Sequence, residues 1–342
     1  MKTNIFLGLS LLIFVCCERQ MGISWQHIVK NDISEIQVKN ANMDILPLSE
    51  KMIHAKDFWV CKDSVLVVLN KPTADHFVEF YNINSEKCYA KVIRKGNGPR
   101  EMLNCDAYLR DDVLCVCDFV KSNYVQIAID EIIEERELYE LSELSSYKKK
   151  YNIHGFRHMG DRILYLNPFC FGSESHKIYN NEPRFFYDNR RINVKEKYYA
   201  FNVSQGHIEI NDIDSLIVFA SLNTNEMEIY DFDLKPIKKI EGPTKMHINY
   251  CVDEKNVVFE NASYGFMGLI NAGNTYWATY QGQPIKDIKH SYVLQYDWTG
   301  KLINGYYADK YLSTLTLSLD GNILYLRGKD EDGSVVLYKL DL

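Results

Sequence analysis

A short apolar strand that recurs six times in phase limits this chain to very few folds. Its copies are Val65 to Leu69, Val113 to Cys117, Ile163 to Leu166, Leu216 to Ala220, Tyr276 to Tyr280 and Ile323 to Arg327. A turn pair precedes each copy: Asp63-Ser64, Asp111-Asp112, Gly160-Asp161, Asp214-Ser215, Gly273-Asn274 and Gly321-Asn322. A second marker follows each, a strand ending near Tyr or Asp: Val78 to Asn82, Val125 to Asp130, Phe185 to Asp188, Met227 to Asp231, Val293 to Asp297 and Val336 to Asp341. A repeat of roughly 40 to 50 residues with four strands is the mark of a propeller blade, which buries its faces only by stacking on neighbours. The expectation is therefore all-β: a six-bladed β-propeller with four-stranded antiparallel blades. Aromatics at 13%, with 24 Tyr against 8 Pro, favour strands as well.

The last thirty residues show one repeat most clearly. Leu315, Leu317 and Leu319 alternate with small or polar residues, the period of a half-buried strand. Asp320-Gly321 supplies a tight turn, Ile323 to Leu326 a second strand, and Val335 to Leu340 a third. After Tyr311 the chain has only three strands, one short of a blade. The missing outer strand is expected from the start of the domain, at Met43 to Leu48, which would close the ring and cover a bare edge.

The first residues have a different character. Lys2 is followed by an apolar run, Ile5 to Val15, and then by Cys16 and Cys17. The run is too short to span a bilayer and reads as the core of a signal segment. Its ending on cysteine resembles the lipobox of bacterial lipoproteins, with Cys17 as the expected lipid attachment and Cys16 as the alternative. An ordinary secretory signal cut a few residues later is the competing reading. The division expected is 1–17 signal segment, 18–42 tether and 43–342 propeller. Seven of the nine cysteines then remain, with no CxxC pair and no metal-like spacing, so buried free thiols are expected. Cys115 and Cys117, two apart on one strand, share a face and do not bridge each other.

Lys95-Gly96-Asn97-Gly98-Pro99-Arg100-Glu101 follows the fourth strand of the first repeat, and Glu241-Gly242-Pro243 echoes it in the fourth. Glycines and a proline packed this closely fix the backbone path between blades. The segment resembles the G-x-G-P-G-E motif of the TolB-like, six-bladed propeller lipoproteins of Gram-negative gut bacteria. Asn261-Ala262-Ser263-Tyr264-Gly265 and Tyr296-Asp297-Trp298-Thr299-Gly300-Lys301 resemble the same family, and the likeness extends over everything after residue 40. Arg100 stands where that motif has its last glycine. The resemblance implies a propeller in the cell envelope, on the periplasmic side or the outer-membrane surface. It brings no settled activity with it.

The composition, 46% hydrophobic and 25% charged, is that of a globular chain, and a net charge of −7 argues against nucleic acid. Lys148 to Lys150, after the acidic stretch Glu131 to Glu143, reads as a solvated loop. His154 and His158 flank a turn rather than share a helix face, and Asp330-Glu331-Asp332-Gly333 reads as a hairpin loop rather than a calcium loop. No HExxH, G-x-S-x-G, P-loop or EF-hand sequence occurs, so neither catalytic residue, metal site nor cofactor is assigned. Propeller ligands gather where inter-blade loops surround the channel, which points to Arg100, Glu101 and Tyr264. Arginine could clamp a carboxylate or phosphate, and tyrosine could stack on a sugar. Packing of the same three residues between blades and along the rim is the competing reading. The function expected is a lipid-anchored envelope module that binds or scaffolds a protein, peptide or glycan. The alternative is a propeller hydrolase or lyase with its active site at the channel mouth.

Overall fold

The turn pairs fold as hairpins because their residues accept the left-handed backbone that such turns require. Lys62, Asp63, Asp111, Asp112, Ser215, Gly273 and Gly321 all have positive φ, between 49° and 74°. The second marker ends on Asp or Asn for a related reason. Asp231 Oδ1 accepts the amides of Asp233 and Lys235 at 2.9 and 2.8 Å. Asp297 Oδ1 accepts those of Thr299 and Lys301 at 2.8 and 3.1 Å, and Asn82 caps its turn likewise. Each carboxylate or amide thus replaces the hydrogen bonds that the turning backbone loses.

The computed structural model describes residues 25–136, 139–141, 143–146, 155–159, 162–166, 185–187, 190–191, 206–246, 251–252, 257–258 and 263–342. Three short strands come first: β1 (His27–Lys30), β2 (Val38–Asn40) and β3 (Met43–Ile45). The first blade is β4 (Ala55–Cys61), β5 (Val65–Asn70), β6 (His76–Asn82) and β7 (Cys88–Arg94). The second is β8 (Cys105–Arg110), β9 (Val113–Asp118), β10 (Asn123–Ala128) and β11 (Ser145–Ser146). A sheet of β12 (Gly155–Met159), β13 (Arg162–Leu166), β14 (Phe185–Tyr187) and β15 (Arg190–Arg191) follows. The third blade is β16 (Gly206–Asn211), β17 (Leu216–Ser221), β18 (Glu226–Asp231) and β19 (Pro236–Glu241). A two-stranded insertion, β20 (Cys251–Val252) and β21 (Val257–Val258), precedes the fourth blade. That blade holds β22 (Ser263–Asn271), β23 (Thr275–Pro284), β24 (Ser291–Asp297) and β25 (Leu302–Ala308). The fifth is β26 (Leu312–Leu317), β27 (Ile323–Lys329) and β28 (Val335–Asp341), completed by β3.

The expectation of six four-stranded antiparallel blades is therefore corrected. Five blades contain three consecutive strands of at least six residues each. The sheet at 155–191 has two strands of five residues, then fragments of three and two, and is a partial sheet among the described residues. Nor are the blades uniformly four-stranded or antiparallel. β1 adds to the outer edge of β19, and β2 to that of β25, both in parallel register. The physical cause is the N-terminal segment, which runs along the perimeter and covers three consecutive blade edges in turn.

Closure by an N-terminal strand is present. Met43, Asp44 and Ile45 pair antiparallel with Leu340, Lys339 and Tyr338. The strand is shorter than Met43 to Leu48, because Pro47–Met52 turns into a 3₁₀ helix that buries Leu48 and Met52 between the fifth and first blades. Part of the stretch expected as a tether is likewise sheet, locked by Asn31. Its side-chain amide donates to Gly300 O at 2.9 Å and its oxygen accepts the Leu302 amide at 2.9 Å.

Two further details depart from the sequence reading. β10 ends at Ala128, and the chain continues into α1 (Ile129–Glu135), which buries Ile129 and Ile132. Leu319 is not part of a strand. β26 stops at Leu317, and Leu319 sits on the turn tip with 75% of its surface exposed. The remaining blade faces form apolar clusters, with Val67, Phe80 and Val116 between the first and second blades and Leu294, Phe266 and Ile229 between the third and fourth. Cys61, Cys105, Cys115 and Cys117 are buried free thiols and Cys88 a half-buried one.

Candidate functional site

The innermost strands β4, β8, β12, β16, β22 and β26 surround a central cavity of about 580 Å³. All six contribute to its wall, through Asp57 and Trp59, Ala107 to Arg110, Arg157, Ile208 to Ile210, Leu269 to Asn271, and Leu315. Asp111, Asp212, Gly273 and Leu319 also line it, and they belong to the turns that join first and second strands. The cavity therefore opens on the face that carries those turns.

The wall holds a charged network. Arg157 donates to Asp106 Oδ2 at 3.2 Å, and its guanidinium lies 4.9 Å from the centre of the Tyr108 ring. Lys56 approaches Asp106 Oδ1 at 3.4 Å and donates to Cys105 O at 2.8 Å. Asp106 and Arg157 each keep 21% of their side-chain surface accessible, and of the two Arg157 lines the cavity. Burial works against the charge on Asp106, but Lys56 and Arg157 outweigh it and hold its carboxyl below the usual range.

Asp57 and Glu209 are in another condition. Burial pushes Asp57 up to about 6, with a further push from Asp106, despite the Phe58 amide at 2.9 Å. Burial likewise pushes Glu209 up to about 7, against the opposing pull of Arg157. Neither forms an ion pair among the described residues. His207, enclosed and close to Arg157, is lowered to about 4 and is neutral at physiological pH. The cavity thus combines an arginine held by an ion pair to Asp106 with two carboxyls that titrate close to neutrality.

Arg110 spans the mouth. It pairs with Asp212 at 2.9 Å, from the third blade, and with its neighbour Asp111 at 3.3 Å. The Leu319 amide donates to Asp63 Oδ1 at 3.0 Å, joining the fifth blade's turn to the first's. Asn271 donates to Ile210 O at 2.7 Å and joins the fourth to the third.

Arg100, Glu101 and Tyr264 lie elsewhere. Glu101 precedes β8, whose far end carries Arg110, and Tyr264 opens β22, whose far end carries Asn271 at the cavity. Seven residues of strand separate Tyr264 from Asn271, about 23 Å at 3.3 Å per residue. The three residues are on the opposite face. Arg100 is 54% exposed and meets Glu140 at 3.8 Å. Glu101 accepts the Gly98 amide at 2.7 Å, while Lys121 donates to Gly98 O and Glu101 O at 2.8 and 2.7 Å. A Cβ on Gly96 would come within 2.1 Å of the Glu101 carboxylate, so the glycines make room for that carboxylate. This loop is a self-contained cage between blades.

Asp57, Asp106, Arg157 and Glu209 escaped the sequence reading. The signal was a charged residue within the first strand, at a similar depth in four different repeats. The Asp330 loop is a hairpin as read, with Asp330 Oδ1 accepting the Ser334 amide at 2.8 Å. His154, the side chain of His158 and Lys148 to Lys150 lie outside the described residues, as do Cys16 and Cys17. Among the described residues no group of three or more His, Cys, Asp or Glu is placed to hold a metal ion. Among them, too, no helix is long and apolar enough to cross a membrane.

Comparison with protein-family models and with curated proteins yields no match. Solved structures do match. A member of the DUF4221 family from Bacteroides vulgatus aligns over 89% of this chain and 97% of its own, with 12% identity and a TM-score of 0.58. A "Putative exported protein" from Bacteroides fragilis aligns over 92% and 99%, with 11% identity and a TM-score of 0.51. At such identities the likeness shows the fold, a β-propeller.

Proposed function

We propose that this protein is an exported, lipid-anchored β-propeller of the bacterial envelope, of the TolB-like kind, and that it works as a binding or scaffolding module. Its ligand, a protein, peptide or glycan, enters the central cavity from the turn face. The observation that carries this reading is the cavity, a concave site of ligand-binding size where polar groups from separate blades converge among apolar side chains. Export is supported by the Lys2, Ile5–Val15 and Cys17 pattern and by the name of the Bacteroides fragilis protein. Two experiments test it. Fatty-acid labelling of the full chain in cells should mark it, and Cys17→Ala should abolish the mark; an unlabelled wild type would remove the anchor. A bulky maleimide on Ile213→Cys, at the mouth, should block capture of the partner from envelope extract, whereas the same label on Tyr264→Cys should not. Equal effects would remove the cavity from the account.

One observation favours an enzymatic reading. Asp57 at about 6 and Glu209 at about 7 line one cavity, as an acid and base pair would. Cleavage of an ester, lactone or glycan that disappears in both Asp57→Asn and Glu209→Gln would establish a hydrolase or lyase.

A further inference from the structure

The turn face has a composition that the turns alone do not require. Asp63, Asp111, Asp112, Asp212, Asp214 and Asp320 stand on four of the five described turns between first and second strands, the fourth blade's turn, Ala272 to Asn274, carrying none. Among the described residues two cations, Lys62 and Arg110, are set against these six carboxylates. Both are already engaged, Lys62 with Asp112 at 3.7 Å and with Asp130, Arg110 with Asp111 and Asp212. Several of the aspartates cap backbone amides, but capping leaves the charge in place. The ring therefore retains a strong negative field around the cavity mouth, where low-dielectric walls concentrate it.

The same ring carries the two most exposed large aliphatic side chains of the described residues, Ile213 at 83% and Leu319 at 75%. Neither position needs an apolar residue for folding, since both are turn tips pointing to solvent. Leu319 in addition lines the cavity. Exposed aliphatics set in a single-sign charged rim are the usual composition of a protein-binding surface. Below them Asp57 and Glu209 offer carboxyl groups that form no salt bridge among the described residues and that Arg157 compensates only in part.

We propose that this ring docks a basic protein segment, whose aliphatic residues cover Ile213 and Leu319 while a lysine or arginine side chain enters the cavity. This rests on the binding-module reading and names its partner chemistry. A long cation suits the cavity: the ring attracts it, Tyr108 and Trp59 line its path, and the carboxyls at the bottom receive it.

The test uses the full chain in nanodiscs of phosphatidylcholine, with empty discs as blank. Binding of labelled peptides of alternating lysine and leucine, and of alternating glutamate and leucine, is followed by fluorescence anisotropy. The basic peptide should bind at least tenfold more tightly. The combined change Asp111→Asn, Asp112→Asn and Asp214→Asn should weaken it about tenfold and flatten its salt dependence. Asparagine tolerates the same turn backbone, so folding is preserved. Ile213→Ser with Leu319→Ser should weaken binding about fivefold and leave the salt dependence intact. Asp75→Asn with Asp287→Asn, on the opposite face, should change nothing.

Equal binding of the acidic peptide, or binding indifferent to the ring variants, overturns the proposal. If the label on Ile213→Cys blocks partner capture but basic peptides gain nothing, only the partner chemistry fails. If the ring binds the basic peptide while the label leaves capture intact, the cavity reading fails and ring docking stands.

Discussion

Replacing Glu209 by glutamine should stabilise the protein, and only above a defined pH. Burial raises this carboxyl from 4.5 to about 7, so the folded protein keeps a proton that the unfolded chain has released across that window. Stability is therefore lost as pH rises from 4.5 to 7, and the full cost applies at pH 8. At 1.36 kcal/mol per pH unit the cost is about 3 kcal/mol. Glutamine cannot ionise, and its oxygen can still accept the amides of Asn271 and Ile210. At roughly 2 °C per kcal/mol for a chain of this size, Glu209→Gln should raise Tm by about 6 °C at pH 8 and by nearly nothing at pH 4.5. Asp57 shows the same sign between 3.8 and about 6, while His207, lowered to about 4, opposes it by gaining stability from pH 4 to 6.5. Both cancel when variant and wild type are compared at one pH. Thermal melts by circular dichroism at the two pH values decide the matter. An equal shift at both, or a loss at pH 8, would refute the assignment of Glu209 to a buried position that Arg157 compensates only in part.

Three further outcomes follow from the geometry. Gly265→Ala should cost about 3 kcal/mol, since its Cβ would lie 1.8 Å from the backbone oxygen of Thr224, whereas Gly321→Ala, with open surroundings at φ +74°, should cost about 1 kcal/mol; melts compare the two. Asn31→Ala removes two hydrogen bonds between the perimeter segment and the fourth blade, a loss of about 2 kcal/mol, and limited proteolysis between residues 25 and 40 should accelerate roughly thirty-fold. Glu101→Ala should lower stability by about 1.5 kcal/mol through loss of the Gly98 contact, read by melts, and leave partner capture unchanged.

What the sequence disclosed is what depends on local chemistry. Turn pairs need positive φ, strand ends need a capping Asp or Asn, and apolar strands recur between them, so Val65, Val113, Leu216 and Ile323 each begin a second strand where expected. Closure through Met43 followed from counting strands after Tyr311. The perimeter path of β1 and β2 was hidden because a parallel edge strand of three or four residues carries almost no periodicity. Leu319 was misplaced because it keeps step with Leu315 and Leu317, yet the Asp320-Gly321 hairpin starts one turn earlier than that alternation suggests. The cavity was hidden for a different reason. Asp57, Asp106, Arg157 and Glu209 are about 50 residues apart on four separate strands, and only ring closure brings them together. The conspicuous glycine-proline motif led instead to a loop whose charges satisfy one another.

The most direct measurement of the central claim is site-specific photocrosslinking in living cells, with the photoreactive residue placed at Ile213 in one strain and at Tyr264 in another. The account predicts a crosslinked partner from Ile213 alone, joined through a segment rich in lysine or arginine when the product is sequenced by mass spectrometry. A partner captured from Tyr264 and not from Ile213 would place binding on the opposite face and contradict it.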